Sequence, residues 1–250
     1  MKTNRHINKV AVVGSGIMGS RIACHFANIG VEVLLMDIVP FDLKEEQLKD
    51  KKVRNSIVND ALKSTLKSKP SPIYSKEFVN RITTGNLDDD LHKIADMDWI
   101  IEVVVERLDI KKQVFEKLEK FRTDGTLISS NTSGIPVESM IDGRSDDFKA
   151  HFCGTHFFNP PRYLQLFEVI PGPNTDQRVL DFFMNYGLCV HWGIILRKCV
   201  FVLMAGFIFG SNHNRCTRRV DSGAADKFHP GLQHHRPLAK NDAHHRRSNE

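Results

Sequence analysis

The stretch Val10-Ala11-Val12-Val13-Gly14-Ser15-Gly16-Ile17-Met18-Gly19 decides the fold. Its four leading apolar residues read as a short buried strand. Beyond the glycines, Ile22, Ala23, Phe26, Ala27 and Ile29 recur at helical spacing. A G-x-G-x-x-G match alone is weak, but a strand before it and a helix after it make it a dinucleotide-binding turn. Gly14 permits the tight turn, Gly16 lets a pyrophosphate approach the backbone, and Gly19 lets the helix pack against the strand. Ser15, Ile17 and Met18 complete the loop. The start of the helix offers unpaired N–H groups and a positive dipole end to the phosphates. A second strand over 31–36 ends in Asp37, 23 residues beyond Gly14 and close to the ~20 expected for the acid that holds a ribose. A carboxylate there accepts from both ribose hydroxyls and repels a 2′-phosphate, so NAD is expected rather than NADP.

Further along, 81–84 reads as a strand, 91–95 as a short helix and 99–105 as a strong strand. Residues 109–121 form an amphipathic helix with Ile110, Val114, Phe115 and Leu118 on one face. Strands follow at 126–129, from 151, and at 166–170, with a helix over 176–186. Strands alternating with helices predict a doubly wound, mostly parallel α/β sheet of Rossmann type. Ligands bind beyond the carboxyl ends of such strands. Glu106 and residues 129–134 fall at such ends. Residues 42–67 read as one long helix, closed by Pro70-Ser71-Pro72. One face of it carries Lys44, Lys49, Lys51, Lys52, Lys63 and Lys67. That face is either a solvated surface or a basic patch for the phosphates of a large anionic substrate.

At 250 residues the chain can bury one good core, with room for a small second domain. No apolar run approaches the ~20 residues of a membrane helix. The polar residues 1–8 lead straight into the first strand, so no secretory signal and no membrane partner are expected. Five cysteines without framework spacing fit a reducing compartment, and a cytoplasmic location is expected. The net charge of +5 is unevenly placed. From Gly187 on there are ten Lys or Arg against four Asp or Glu, so the whole basic excess lies in the last part. The expected organisation is a dinucleotide-binding domain over 1–186 and a tail of different character over 187–250. Cys189, His191, Cys199, His213 and Cys216 lack paired metal-site spacing, so no metal is expected. The basic tail lacks interleaved aromatics, so no nucleic acid is expected either.

Glu168 sits within Leu166-Phe167-Glu168-Val169-Ile170, a strand with no polar face. A carboxylate buried there is costly unless something pairs with it. His156 lies twelve residues earlier, on the preceding strand. If the two strands are neighbours, they form a His–carboxylate dyad able to take a proton from an alcohol. Spacing alone also allows a core histidine among aromatics with Glu168 at a rim. Ser130-Asn131-Thr132-Ser133-Gly134 offers hydroxyls to a substrate oxygen, or is simply a capped turn before a helix.

Together these motifs resemble the L-3-hydroxyacyl-CoA dehydrogenase family, specifically its NAD-binding domain. The resemblance is carried by residues 12–19, Asp37, 102–106, 130–133 and Gly154-Thr155-His156-Phe157-Phe158-Asn159-Pro160. Pro161-Arg162-Tyr163-Leu164 looks like the bacterial branch, often fused to an enoyl-CoA hydratase. The resemblance implies that His156 is the catalytic base, Glu168 its partner, and Ser133 a contact to substrate and nicotinamide. It implies that Glu106, Lys111 and Asn159 also contact the cofactor. The implied reaction is oxidation of a 3-hydroxyacyl-CoA to the 3-ketoacyl-CoA, as in fatty-acid β-oxidation.

Beyond Tyr186 the resemblance breaks. The family continues through a Pro-Gly/Ala-Phe-Ile-x-Asn-Arg motif into a helical domain that completes the cleft and makes a homodimer. Here Ala205-Gly206-Phe207-Ile208 is only an echo, and Asn212 and Asn214 lie too far along. A back-translation of 240–250, read one nucleotide over, resembles part of that domain. The tail is therefore expected to be divergent or frameshifted, which puts the dimer and turnover in doubt. Two other functions stand beside the dehydrogenase: an NAD-binding remnant without turnover, and a dehydrogenase of a small hydroxy acid.

Overall fold

The computed structural model of the chain describes residues 5–164, 166–189 and 193–196. The first half runs β1 (Lys9–Val13), α1 (Ile17–Asn28), β2 (Glu32–Asp37), α2 (Lys51–Arg54), α3 (Ser56–Leu66), β3 (Ile82–Asn86) and β4 (Trp99–Glu102). The second runs α4 (Leu108–Phe121), β5 (Leu127–Ser130), α5 (Val137–Ile141), α6 (Asp146–Ala150), β6 (Phe152–Phe157), β7 (Leu166–Pro171), α7 (Gln177–Cys189) and β8 (Gly193–Leu196). Short 3-10 turns lie at Glu45–Gln47, Lys76–Arg81 and Leu91–Asp96. One sheet holds the strands in the order β3-β2-β1-β4-β5-β6-β7-β8. Every pairing is parallel except β6 with β7. Chain order reverses between β1 and β4, which opens a crevice at the carboxyl ends of those strands.

The period of two in the strands sends alternate residues to two cores. Val10, Val12, Val33, Leu35, Trp99 and Ile101 join Ile22 and Phe26 of α1, Val58 and Leu62 of α3, and Phe183 of α7. Ala11, Val13, Leu34, Met36 and Ile100 join Phe115 of α4, Met140 of α5 and Phe148 of α6. Trp99 is central to the first layer, against the rings of Phe26, Phe157, Phe167 and Phe183. Its indole N–H donates to Ser129 Oγ at 2.9 Å, so no polar group is stranded there.

Three segments differ from the sequence expectation. Residues 42–67 are not one helix. Asp50 caps α2 through the Lys52 N–H at 2.8 Å. The buried Asn55, at the junction with α3, gives its side-chain oxygen to Asn86 at 2.6 Å. That bond ties the junction to the end of β3 and outweighs helical continuity. Part of the basic face is also already engaged: Arg54 holds Asp89 through two bonds of 2.7 Å, and Lys51 reaches Asp90 at 3.3 Å. The strand expected over 99–105 stops at Glu102, because Val104 N–H turns back onto the Glu102 carboxylate. At the other end of the chain, α7 continues past Tyr186 to Cys189, so the boundary expected at 186/187 falls inside that helix, and β8 pairs with β7 beyond it. Of the divergent or frameshifted tail expected over 187–250, residues 190–192 and 197–250, with His191, Cys199, Asn212, His213, Asn214 and Cys216, lie outside the described residues.

Among the described residues no helix is long and apolar enough to cross a membrane. No group of three or more His, Cys, Asp or Glu among them could hold a metal ion.

Candidate active site

Each glycine of the loop has its own reason to be there. Gly14 has φ of +104°, and its N–H donates to Met36 O at 2.8 Å. A Cβ on Gly14 would lie 2.6 Å from Val103 O. At Gly19 a Cβ would lie 1.8 Å from Gly14 O, so α1 can approach the loop only without a side chain there. At Gly16 a Cβ would meet nothing within 4 Å. The backbone at Gly16 thus faces open space at the N-terminal end of α1, where an anionic group is favoured. A helix start of this kind beside an acid after β2 is a fit for a dinucleotide, and Asp37 stands in that place. Asp37 Oδ2 accepts from Ser15 N at 2.6 Å and Ser15 Oγ at 2.5 Å, and Oδ1 accepts from Ile38 N at 2.8 Å. The loop and the acid are therefore one unit. Ser15 is buried and holds Asp37 in place.

The crevice between β1 and β4 widens into a cleft of about 760 Å³, within the roughly 300–1,000 Å³ of ligand pockets. Gly14, Gly16, Ile17, Met18 and Asp37 line it, together with Glu106, Ser133, His156 and Asn159. Leu87, Val104, Val105, Ile110 and Val114 give it apolar walls. Residues from seven separate stretches of the chain thus share one cavity.

His156 and Glu168 are register partners across the antiparallel β6–β7 pair, which turns a spacing of twelve into direct opposition. His156 Nδ1 lies 2.9 Å from Glu168 Oε2. The carboxylate is nearly enclosed, with 4% of its side chain exposed, while the imidazole is 21% exposed and lines the cleft. Glu168 itself does not line the cleft. The Phe158 ring packs on the imidazole at 4.6 Å between centroids.

Glu106 accepts from Thr132 Oγ1, and from the N–H groups of Ser133 and Gly134 at 3.2 Å each. Burial raises the Glu106 pKa, but those donors and the Lys111 charge outweigh it and hold the carboxyl below its ordinary range. Lys111 itself is 1% exposed and does not line the cleft. Its ammonium is shared between Glu102 at 2.8 and 2.9 Å and Glu106 at 3.4 Å. Enclosed between two carboxylates, Lys111 stands behind the cleft wall, and its link to the cleft runs through Glu106.

Three residues in or near the cleft had no role assigned from the sequence. Asn131 lines the cleft, and its Oδ1 accepts from Phe157 N at 2.9 Å, which ties the β5 loop to the end of β6. Arg21 of α1 donates to Asn159 Oδ1 at 2.5 Å across 138 residues of sequence. Sequence offers no local signal for such a long-range pair. Glu102 had one, being a carboxylate inside an otherwise apolar strand, as Glu168 is.

The model for the 3-hydroxyacyl-CoA dehydrogenase NAD binding domain matches residues 9–191. A probable 3-hydroxyacyl-CoA dehydrogenase of Bacillus subtilis (strain 168) is 54% identical over 190 residues, 74% of this chain and 24% of that protein. A probable 3-hydroxyacyl-CoA dehydrogenase of Deinococcus radiodurans is 45% identical over 180 residues, 72% of this chain and 50% of that protein. The crystal structure of 3-hydroxybutyryl-CoA dehydrogenase from Escherichia coli K12 superposes with a TM-score of 0.57 at 27% identity, covering 76% of this chain and 38% of that one. The chain thus spans about a quarter to a half of the length of these curated relatives. With the glycine loop and Asp37 bonded into one unit at the cleft and the family match running from β1 to the end of α7, the chain belongs to the 3-hydroxyacyl-CoA dehydrogenase family through its NAD-binding domain, and its cofactor is NAD.

Proposed function

We propose that this chain takes part in oxidising a 3-hydroxyacyl-CoA to the 3-ketoacyl-CoA, a β-oxidation step, with His156 as general base. The observation that carries this reading is the His156–Glu168 pair at 2.9 Å, with the imidazole on the cleft and the carboxylate behind it. Glu168 accepts from the protonated Nδ1, which leaves Nε2 as the basic nitrogen. His156 takes the substrate hydroxyl proton at Nε2, and the buried Glu168 charge stabilises the imidazolium that forms. NAD, when bound, supplies the hydride acceptor. Ser133 holds the substrate oxygen, and Asp37 accepts from the adenosine ribose. The Gly14–Gly19 loop cradles the pyrophosphate, with Ser15 holding Asp37 to it. Glu106 and Asn159 orient the cofactor, and Lys111 acts through Glu106. The coenzyme A phosphates find basic partners among the lysines of 42–67 that are not already paired with Asp90. In this reading residues 1–186 supply the cofactor half of the enzyme.

The test uses the whole chain. NADH binding is followed by fluorescence, and NADH oxidation is followed with acetoacetyl-CoA. Binding with turnover supports the dehydrogenase. Because the chain spans only part of its relatives' length, binding without turnover would favour a cofactor-binding domain that is not itself catalytic. Equal turnover of acetoacetate lacking coenzyme A would favour a small-acid dehydrogenase. No NADH binding would sink the reading.

A further inference from the structure

Glu102 is fully buried at the end of β4, and its carboxylate accepts from three different parts of the site. Lys111 Nζ of α4 donates to both its oxygens, at 2.8 and 2.9 Å. Val104 N–H donates to Oε1 at 2.7 Å, and Ser130 Oγ of β5 donates to Oε2 at 2.5 Å. An ammonium has three N–H donors and no acceptor. The third direction of Lys111 leads to Glu106 Oε2, at 3.4 Å. Glu106 Oε1 in turn collects Thr132 Oγ1 and the Ser133 and Gly134 N–H groups. The chain of contacts runs from β4 through α4 to the loop that carries Ser133, and it closes at the cleft.

A buried ion pair is a poor stabiliser, because the cost of desolvation offsets the attraction. What such a pair secures is geometry. We infer that Glu102 is a positioning residue of the cleft: through Lys111 it holds the Glu106 carboxylate, and with it the Ser133–Gly134 backbone, in the pose the cleft presents. The inference rests on the proposed cofactor role of Glu106 and Ser133. It adds Glu102, Ser130 and Thr132 to the machinery, none of which touches the cleft.

The experiment separates positioning from stability. Lys111→Met leaves the Glu102 charge buried without its cation, and its melting temperature should drop. In the pair Glu102→Gln/Lys111→Met both charges are gone, yet the amide oxygen still accepts from Val104 N–H while the amide NH2 donates to Ser130 Oγ, so the melting temperature should largely recover. Amide hydrogen exchange at Ser133 and Gly134, read without cofactor, should nevertheless stay about tenfold faster than in the wild type, and NADH should bind about tenfold more weakly. Recovery of exchange and affinity together with the melting temperature would show a structural role only and overturn the inference. Glu106→Gln, at a half-exposed position, gives a second route that does not depend on refilling the core. It should reproduce both the faster exchange and the weaker binding; a variant unchanged in both would leave the relay nothing to deliver. A wild type that binds no NADH would sink the cofactor reading, while the exchange measurements would still decide the relay.

Discussion

At the scale of single residues, the site separates groups that do chemistry from groups that hold them. His156→Gln removes the basic nitrogen but leaves the glycine loop untouched. It should lower turnover by about 10²–10⁴-fold while NADH affinity stays within about twofold; equal loss of both would remove the base assignment. Glu168→Gln keeps a similar shape but not the charge behind the imidazole, and should slow turnover with NADH affinity retained. Turnover at the wild-type rate would end the dyad. Gly16 and Gly19 make a sharper pair. At Gly19 a methyl group meets backbone at 1.8 Å, so Gly19→Ala should lower the melting temperature of the cofactor-free protein. At Gly16 a methyl group meets only open space, so Gly16→Ala should fold normally and lose NADH affinity. Thermal melts and titrations on both variants check this, and the reverse pattern would mean that the cofactor does not approach at Gly16.

At the scale of elements, contacts distant in sequence assemble the site. The β6–β7 pairing sets His156 opposite Glu168, while α1 reaches across to the loop after β6 through Arg21 and Asn159. That bond fixes which end of the Asn159 amide faces the cleft, because the oxygen is committed to the guanidinium. Arg21→Ala should leave the fold intact, since the pair is solvent-exposed, and should weaken NADH binding by about threefold to tenfold. In Asn159→Ala the same Arg21 change should add nothing further, and a double-mutant cycle measures that coupling. Fully additive effects would separate Arg21 from the cofactor site. The division of residues 42–67 is a second consequence at this scale. Helix periodicity is present throughout it, but the Asn55–Asn86 bond belongs to the tertiary structure and breaks the helix there.

At the scale of the whole molecule, acid stability should report on the first core layer. His25 of α1 is buried, and burial pushes its pKa from 6.5 down to about 4. The folded state therefore keeps it neutral where the unfolded chain would take up a proton. Its contribution is complete above pH 6.5 and is lost as pH falls toward 4. The loss should reach at most about 3 kcal/mol from this group. Urea denaturation at pH 7 and pH 4.5 measures it. His25→Gln should shrink the difference between the two pH values, and an unchanged difference would place the acid sensitivity elsewhere.

The sequence alone determined the α/β alternation, the loop at Gly14–Gly19, the acid after β2 and the family, because these rest on local spacing and on motifs read in order. It also exposed Glu168 as a charge within an apolar strand, although it left open whether His156 or solvent would meet it. Only the tertiary structure decided that Glu168 and His156 are register partners, that Lys111 is enclosed between two carboxylates rather than open to the cleft, and that Arg21 orients Asn159. The physical reason is one of range. Periodicity reports which side of an element is buried, whereas the partner of a buried charge is chosen by strands and loops that meet only after the sheet has formed.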